Sequence, residues 1–260
     1  MKKTLQISNG IAYVSMIFIN YLSNTGLING NTNASISRDV QNLFTPAGYA
    51  FSIWGLIYLL VLGFVIYQGL GLFKKSLDND VASKVGIWFV ISCVANGLWL
   101  FAWLHEFLGL SVLVMLVLLY SLIKIVVRTR KEHLNPSFKI ILFLWWPFGI
   151  YVGWISVALI ANVAGYLTQI DWNGFGLSSA FWSLTMILIA GALNLFITWK
   201  RNMREFAFVG AWALTAIAIA NREVDQTISY TATVVAVILV LSSILHAFKK
   251  WKVVPLFQKK

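Results

Sequence analysis

Three tryptophans carry the clearest chemistry in the sequence. Trp54, Trp99 and Trp154 each lie about five or six residues inside the outer end of a long apolar run. At the helical rise this is a depth of about 8 Å. On the same helical faces stand Tyr58, Asn96, Trp103, Tyr151, Ala158 and Asn162. If the three faces converge, they form an aromatic-walled pocket containing two carboxamides. The chemistry open to such a pocket is non-covalent: a flat, amphipathic, mostly apolar ligand stacks on the rings and turns its polar edge to the amides. The loop stretch Pro46-Ala47-Gly48-Tyr49 precedes the first of these faces and would roof the pocket. Pro46 lacks an N–H and Gly48 tolerates bends, so the pair marks the end of the loop.

Other chemistries are weaker. His105 and Glu106 sit side by side, with Asp171 in another outer loop, and they form the one cluster with general acid/base potential. Adjacent residues on a tight hairpin are usually just solvated, so an enzyme is not expected. Three His and one Cys without metal-ligand spacing argue against a zinc site or a disulfide framework, and no cofactor is expected. Cys93, inside an apolar run, reads as a small core residue. Trp88, Trp103, Trp172, Trp199 and Trp251 lie at span ends or in a loop and read as an interfacial belt. For Trp54, Trp99 and Trp154, spacing leaves both readings open, interfacial anchor and pocket wall.

The elements that must position these faces are membrane helices. Hydrophobic residues make up 59% of the 260 and charged ones only 11%, with a mean hydropathy of +0.79. A soluble domain of this length could not hide so much apolar surface behind so few charges. The chain therefore reads as an all-α polytopic membrane protein. At about 20 apolar residues per crossing, about eight spans fit, near 10–28, 49–70, 86–104, 107–127, 138–160, 178–198, 205–221 and 227–247. The seventh is the shortest. Of the 20 Lys and Arg, Arg38 and Arg222 fall on one side. The rest, from Lys2 and Lys3 through Lys131 to Lys252, Lys259 and Lys260, fall on the other. That asymmetry makes the basic side cytoplasmic and puts both termini there, as in a multi-pass protein of the cell membrane. The net charge of +11 then faces anionic lipid headgroups, and no nucleic-acid partner is expected. Met1-Lys2-Lys3 and the apolar run behind it imitate a signal peptide, but no small-x-small site follows Phe18, so the run reads as an uncleaved first span.

No Asp, Glu, Lys or Arg falls near the middle of any span, which argues against a proton- or sodium-coupled pump and against a retinal protein. Lys124 lies near an inner end and can snorkel. Asn20, Asn96, Asn162 and Asn194 carry the interior polarity, and joining helices is the plainer reading of each. Pro147, behind Trp145 and Trp146, is expected to kink the fifth span, where Gly149-x-x-x-Gly153 permits close helix approach. The third and fourth spans form a hairpin around His105-Glu106, and Ser35 to Val40 in the first outer loop forms one short helical turn.

Three of these stretches resemble the TspO/translocator-protein family, the tryptophan-rich sensory proteins. Pro46-Ala47-Gly48-Tyr49-Ala50-Phe51-Ser52-Ile53-Trp54-Gly55-Leu56-Ile57-Tyr58 is similar to the family's loop-to-second-helix segment. Asn96-Gly97-Leu98-Trp99 is similar to its Asn-Ala-Leu-Trp, and Trp154-Ile155-Ser156-Val157-Ala158-x-x-x-Asn162 to its Trp-Val-Ser-Phe-Ala-x-x-x-Asn. Ala47 stands where the family has a second Pro, and Tyr49 where it has Trp. The resemblance covers about residues 10–165. It implies a five-helix ligand-binding bundle over 1–165, whereas the three further spans and basic tail over 166–260 have no counterpart in a five-helix family. It also implies a site for porphyrins, sterols or other flat hydrophobic molecules under the first loop. The residues carried over are Trp54, Tyr58, Asn96, Trp99, Trp154, Ala158 and Asn162, joined by the loop positions Pro46, Gly48 and Tyr49 and by Tyr151. A sensory or ligand-binding membrane protein is the first functional reading. A transporter or export accessory for a small hydrophobic metabolite is the alternative. Membrane lipids are expected partners, and the oligomeric state stays open, a homodimer included.

Overall fold

The computed structural model describes residues 2–130 and 136–251, with side chains described through Lys249, and every regular element among them is helical. Lys131, Lys252, Lys259 and Lys260, which the charge pattern assigns to the basic side, lie outside the described residues. The order is α1 (Lys2–Leu22), α2 (Asn33–Asp39), α3 (Ile53–Phe73), α4 (Val81–Val85), α5 (Trp88–Leu104) and α6 (Leu108–Arg130). It continues with α7 (Phe138–Ile140), α8 (Trp146–Gln169), α9 (Ser179–Arg201), α10 (Arg204–Ala220) and α11 (Gln226–Trp251).

Five helical stretches are long and apolar enough to cross a membrane: Gly48–Phe73, Leu108–Arg130, Phe138–Gln169, Ser179–Arg201 and Gln226–Lys249. The other three expected spans coincide with helices that fall short of that standard. α5 and α10 have 17 residues each, about 25 Å of helix. α1 has 21 residues but carries Lys2, Lys3, Gln6 and Asn9 in its first half.

Two compact units are present: Met1–Asn42 with Phe51–Trp172, and Leu43–Ala50 with Asn173–Lys260. In the first, α1 and α3 run antiparallel. Gln6 Nε2 donates to the Gln68 carbonyl at 2.6 Å, Gln68 Nε2 returns a bond to the Gln6 carbonyl at 3.0 Å, and Tyr13 Oη donates to the Tyr58 carbonyl at 3.0 Å. Amides and phenols join these helices because an apolar seam alone gives little drive to associate in lipid. Phe64, Phe89 and Phe148 close the interior edge to face, with centroids 4.9 and 5.0 Å from Phe64, and all three are buried. α5 and α6 form the expected hairpin. His105 Nδ1 donates to the Phe101 carbonyl at 2.8 Å, and Glu106 turns the chain at a positive φ of 62°. Lys124 lays its ammonium over Tyr120 at 5.2 Å and Trp88 at 5.7 Å, as a snorkelling lysine does.

The short helix of the first loop is α2. Thr32 caps it: its hydroxyl accepts from the Ser35 N–H at 3.2 Å, and Ser35 Oγ accepts from the Thr32 N–H at 2.9 Å. Before Pro147 the helical stretch Phe138–Gln169 widens into a π turn over Ile141–Trp145 that leads into α8. A wider turn accommodates a proline that has no N–H and whose ring crowds the preceding turn.

In the second unit α9, α10 and α11 pack side by side. Gly191 faces Val235, Gly210 faces the Asn194 amide, and Trp199 Nε1 donates to Ser242 Oγ at 2.9 Å. Asn202 ends α9 in the left-handed conformation, φ 55° and ψ 46°, so that the chain reverses directly into α10.

Candidate functional site

Trp54 lies in the first turn of α3, and four aromatic rings meet it. Its ring stacks on Tyr58 at 5.4 Å between centroids and on Trp99 at 6.3 Å. Tyr151 at 5.7 Å and Trp154 at 6.2 Å approach it edge-on. Trp103 stacks behind Trp99 at 6.0 Å, and Phe51 sets its edge against Trp154 at 6.2 Å. The helical repeat explains the grouping. Tyr58 follows Trp54 by one turn of α3, Trp103 follows Trp99 on α5, and Tyr151 precedes Trp154 on α8 by three positions. Each helix therefore offers one aromatic face, and the three faces meet.

Two strings of hydrogen bonds hold the walls. In the first, the Tyr58 hydroxyl donates to Asn20 Oδ1 across α3 and α1. Asn20 Nδ2 donates to Asn96 Oδ1 at 2.7 Å, and Asn96 Nδ2 donates to the Tyr151 hydroxyl at 3.0 Å. In the second, Trp99 Nε1 donates to Asn162 Oδ1 at 2.8 Å, and Asn162 Nδ2 donates to Ser111 Oγ at 2.7 Å. One donor and one acceptor of each amide are thus spent on the protein itself. Asn96, Trp99, Tyr151, Trp154 and Asn162 are all buried, whereas Trp54, Tyr58 and Ala158 are half-buried. The indole N–H of Trp154, a residue only 2% exposed, has no hydrogen-bond partner.

Of the residues singled out from sequence, Trp54, Tyr58, Asn96, Trp99, Tyr151, Trp154 and Asn162 come together in this cluster. Ala158 lies between Trp154 and Asn162 on α8. Pro46, Gly48 and Tyr49 belong instead to the second unit, where α10 and the residue after it hold the loop. Asn221 Nδ2 donates to the Leu43 carbonyl at 3.0 Å, the Ala47 N–H to the Ala216 carbonyl at 3.1 Å, and Trp212 Nε1 to the Ala50 carbonyl at 3.2 Å. Tyr49 stands edge-on to Trp212 at 5.1 Å. Gly48 opens the 3-10 turn Gly48–Ser52 that leads into α3.

Sequence reasoning did not find Trp212 and Asn221 as partners of the loop, nor Ser111 as a support of the rings. No local pattern marks them, since their partners lie up to 178 positions away. His105 and Glu106 hold the hairpin. Glu106 Oε1 accepts from Asn31 Nδ2 at 3.2 Å, and its carbonyl accepts from Gln169 Nε2 at 2.9 Å. Cys93 is a buried free thiol, and among the described residues no group of three His, Cys, Asp or Glu could hold a metal ion.

A family model described as TSPO-like protein matches residues 6–245, through both units and all of α9 and α10. Neither a curated protein nor a solved structure matches the chain.

Proposed function

We propose, from the premise that this chain belongs to the TSPO-like protein family, that it is a membrane ligand-binding and sensory protein whose ligand stacks on Trp54. A flat hydrophobic molecule, a tetrapyrrole or a sterol-like lipid, suits a site walled by indole and phenol rings. The observation that carries this reading is the orphan indole N–H of Trp154 at the edge of the cluster. A buried donor without an acceptor costs about 1–3 kcal/mol. A ligand carbonyl or carboxylate that accepts this bond recovers that cost and fixes the ligand's orientation.

The walls differ in how readily they give way. Trp99 and Tyr151 are tied by Asn162 and Asn96, whereas Trp54 is half-buried and makes ring contacts on several sides. Trp54 is therefore the ring that shifts to admit a ligand, with Asn96 and Asn162 as positioning residues behind the walls. In this reading α1, α5 and α10 also cross the membrane, for eight spans with both termini cytoplasmic. α1 supports it by lying along the membrane-length α3 from Gln6 to Asn20.

The test is a tryptophan-fluorescence titration of the full-length protein in detergent with protoporphyrin IX, corrected for inner-filter absorption. Saturable quenching is expected. Trp154→Phe keeps a ring and removes the donor, and weakens binding about fivefold, the worth of one neutral hydrogen bond. Trp54→Ala removes the stacking platform and weakens it further. Quenching that does not saturate, or that both variants leave unchanged, rules this ligand class out of the cluster.

A further inference from the structure

Gly10 on α1 and Gly69 on α3 face empty space, for a methyl group built on either would meet no atom within 4 Å. Both line one apolar groove of about 580 Å³ between the two helices. Most of its wall is aliphatic or aromatic, with Ile11 63%, Val14 65%, Ile66 56% and Phe73 91% exposed, and the buried Gln6 and Gln68 lie among the lining residues with Ser15. A glycine inside a helix costs about 1 kcal/mol relative to alanine. In membrane helices that cost is usually offset by close packing of a neighbouring helix on the small residue. Here none of the described residues packs on either position, so the two glycines leave a notch.

One end of the notch is basic. The first turn of α1 and the residues after α3 meet there, where Lys2 Nζ lies 2.7 Å from Asp78 Oδ1 and 3.5 Å from Asp80 Oδ1. Lys3 lies one turn before Ile7, a residue of the groove, and so on the same helical face. Lys74 directly follows Phe73, and Lys75 follows it. All three are exposed. Four lysines and two carboxylates thus stand at this end, Lys2 paired with both carboxylates, which leaves an excess of positive charge at the point where the membrane-length stretch Gly48–Phe73 ends.

From the open glycine notch and its cationic rim we infer that the α1–α3 groove is a binding site for an anionic phospholipid. One acyl chain lies over Gly10 and Gly69, and the phosphate sits between Lys3 and Lys74. The apolar length takes the chain by hydrophobic contact. The rim selects the headgroup, since basic residues at the cytoplasmic boundary attract anionic lipid by about 1 kcal/mol each. This site is separate from the Trp54 cluster, which lies at the opposite end of α3.

The experiment is native mass spectrometry of the full-length protein in detergent, titrated with dioleoylphosphatidylglycerol or with dioleoylphosphatidylcholine, whose chains are identical. Phosphatidylglycerol is expected to bind at least tenfold more tightly. Lys3→Gln and Lys74→Gln should each weaken it about fivefold and weaken phosphatidylcholine, whose choline offsets the same phosphate charge, by less. Gly69→Leu fills the notch and should remove the tight lipid altogether. The surface lysine variants keep the test decisive if Gly69→Leu fails to fold. Equal affinity for the two lipids, indifference to both lysine substitutions, or full retention in folded Gly69→Leu would each overturn the assignment. So would a dimer, measured by light scattering, that Gly69→Leu dissociates, because the notch would then hold a second copy of the chain.

Discussion

Trp99 and Asn162 form a locked pair. The indole N–H gives its hydrogen to the Asn162 side-chain oxygen at 2.8 Å, and the amide nitrogen passes the constraint to Ser111 at 2.7 Å. Three helices are joined at buried atoms, so this pair sets the plane of the ring on which Trp54 stacks. Asn162→Leu leaves the Trp99 donor buried and unpaired, and should destabilise the protein in detergent by about 1–3 kcal/mol. Trp99→Phe removes the donor as well. The double variant should therefore lose less than the sum of the two, by about 1 kcal/mol, in a thermal-unfolding cycle. Strict additivity would mean that the bond does not organise the wall.

The convergence of Trp54, Trp99 and Trp154 is legible in the sequence because it depends on two regular quantities, depth along a span and angle around a helix. The all-helical membrane class is legible from composition alone. Other features depend on what stands opposite a residue, which periodicity does not report. Asn96 and Asn162 read first as helix glue and second as ligand amides, and sequence alone does not name their partners. Their partners Asn20, Tyr151, Trp99 and Ser111 show one donor and one acceptor of each committed to the protein. Pro46, Gly48 and Tyr49 read as the roof of the aromatic pocket, and nothing local in the sequence reports that their segment is held by Trp212, Ala216 and Asn221. The π turn over Ile141–Trp145 is equally out of reach of spacing rules, because a kink and a widened turn both answer the missing N–H of Pro147.

The anchorage of the loop predicts an effect carried across a long stretch of sequence. Trp212→Phe removes the donor to the Ala50 carbonyl while keeping an aromatic edge for Tyr49, and Asn221→Ala frees the Leu43 carbonyl. Amide hydrogen exchange at Ala47 and Ala50, which donate to Ala216 and Ala47 respectively, should speed up about tenfold in the double variant. Exchange within α8 should stay as it was. Unchanged protection at Ala47 would show that the 3-10 turn holds itself.

Two glycine substitutions should have opposite signs. A Cβ on Gly191 would sit 2.6 Å from Val235 Cγ1, and a β-branched side chain has no free rotamer with which to yield. Gly191→Ala should therefore cost about 1–3 kcal/mol through overpacking between α9 and α11. Gly55 in α3 meets nothing within 4 Å, so Gly55→Ala should stabilise by up to about 1 kcal/mol through helix propensity. Thermal melts of the two variants in one detergent decide both signs.

The Lys2–Asp78 ion pair predicts a flat stability plateau with two edges. Its hydrogen bond to Lys2 holds the Asp78 carboxyl below its ordinary 3.8, and the same bond holds the Lys2 ammonium above its ordinary 10.5. A carboxyl with a lowered folded-state value contributes fully above 3.8 and loses that contribution as the pH falls through the lowered value. An ammonium with a raised value contributes fully below 10.5 and loses it as the pH rises through the raised value. The turn at Lys75–Leu77 should thus stay closed across the neutral range and open at both extremes. Hydrogen exchange at Leu77 and Asp78, whose N–H groups bond to Lys74 and Lys75, reads that opening directly once intrinsic rates are divided out. Asp78→Asn should abolish most of the acid edge and weaken the alkaline one, leaving Asp80 at 3.5 Å as the remaining partner of Lys2. An acid edge that persists undiminished in Asp78→Asn would assign the opening to another carboxylate.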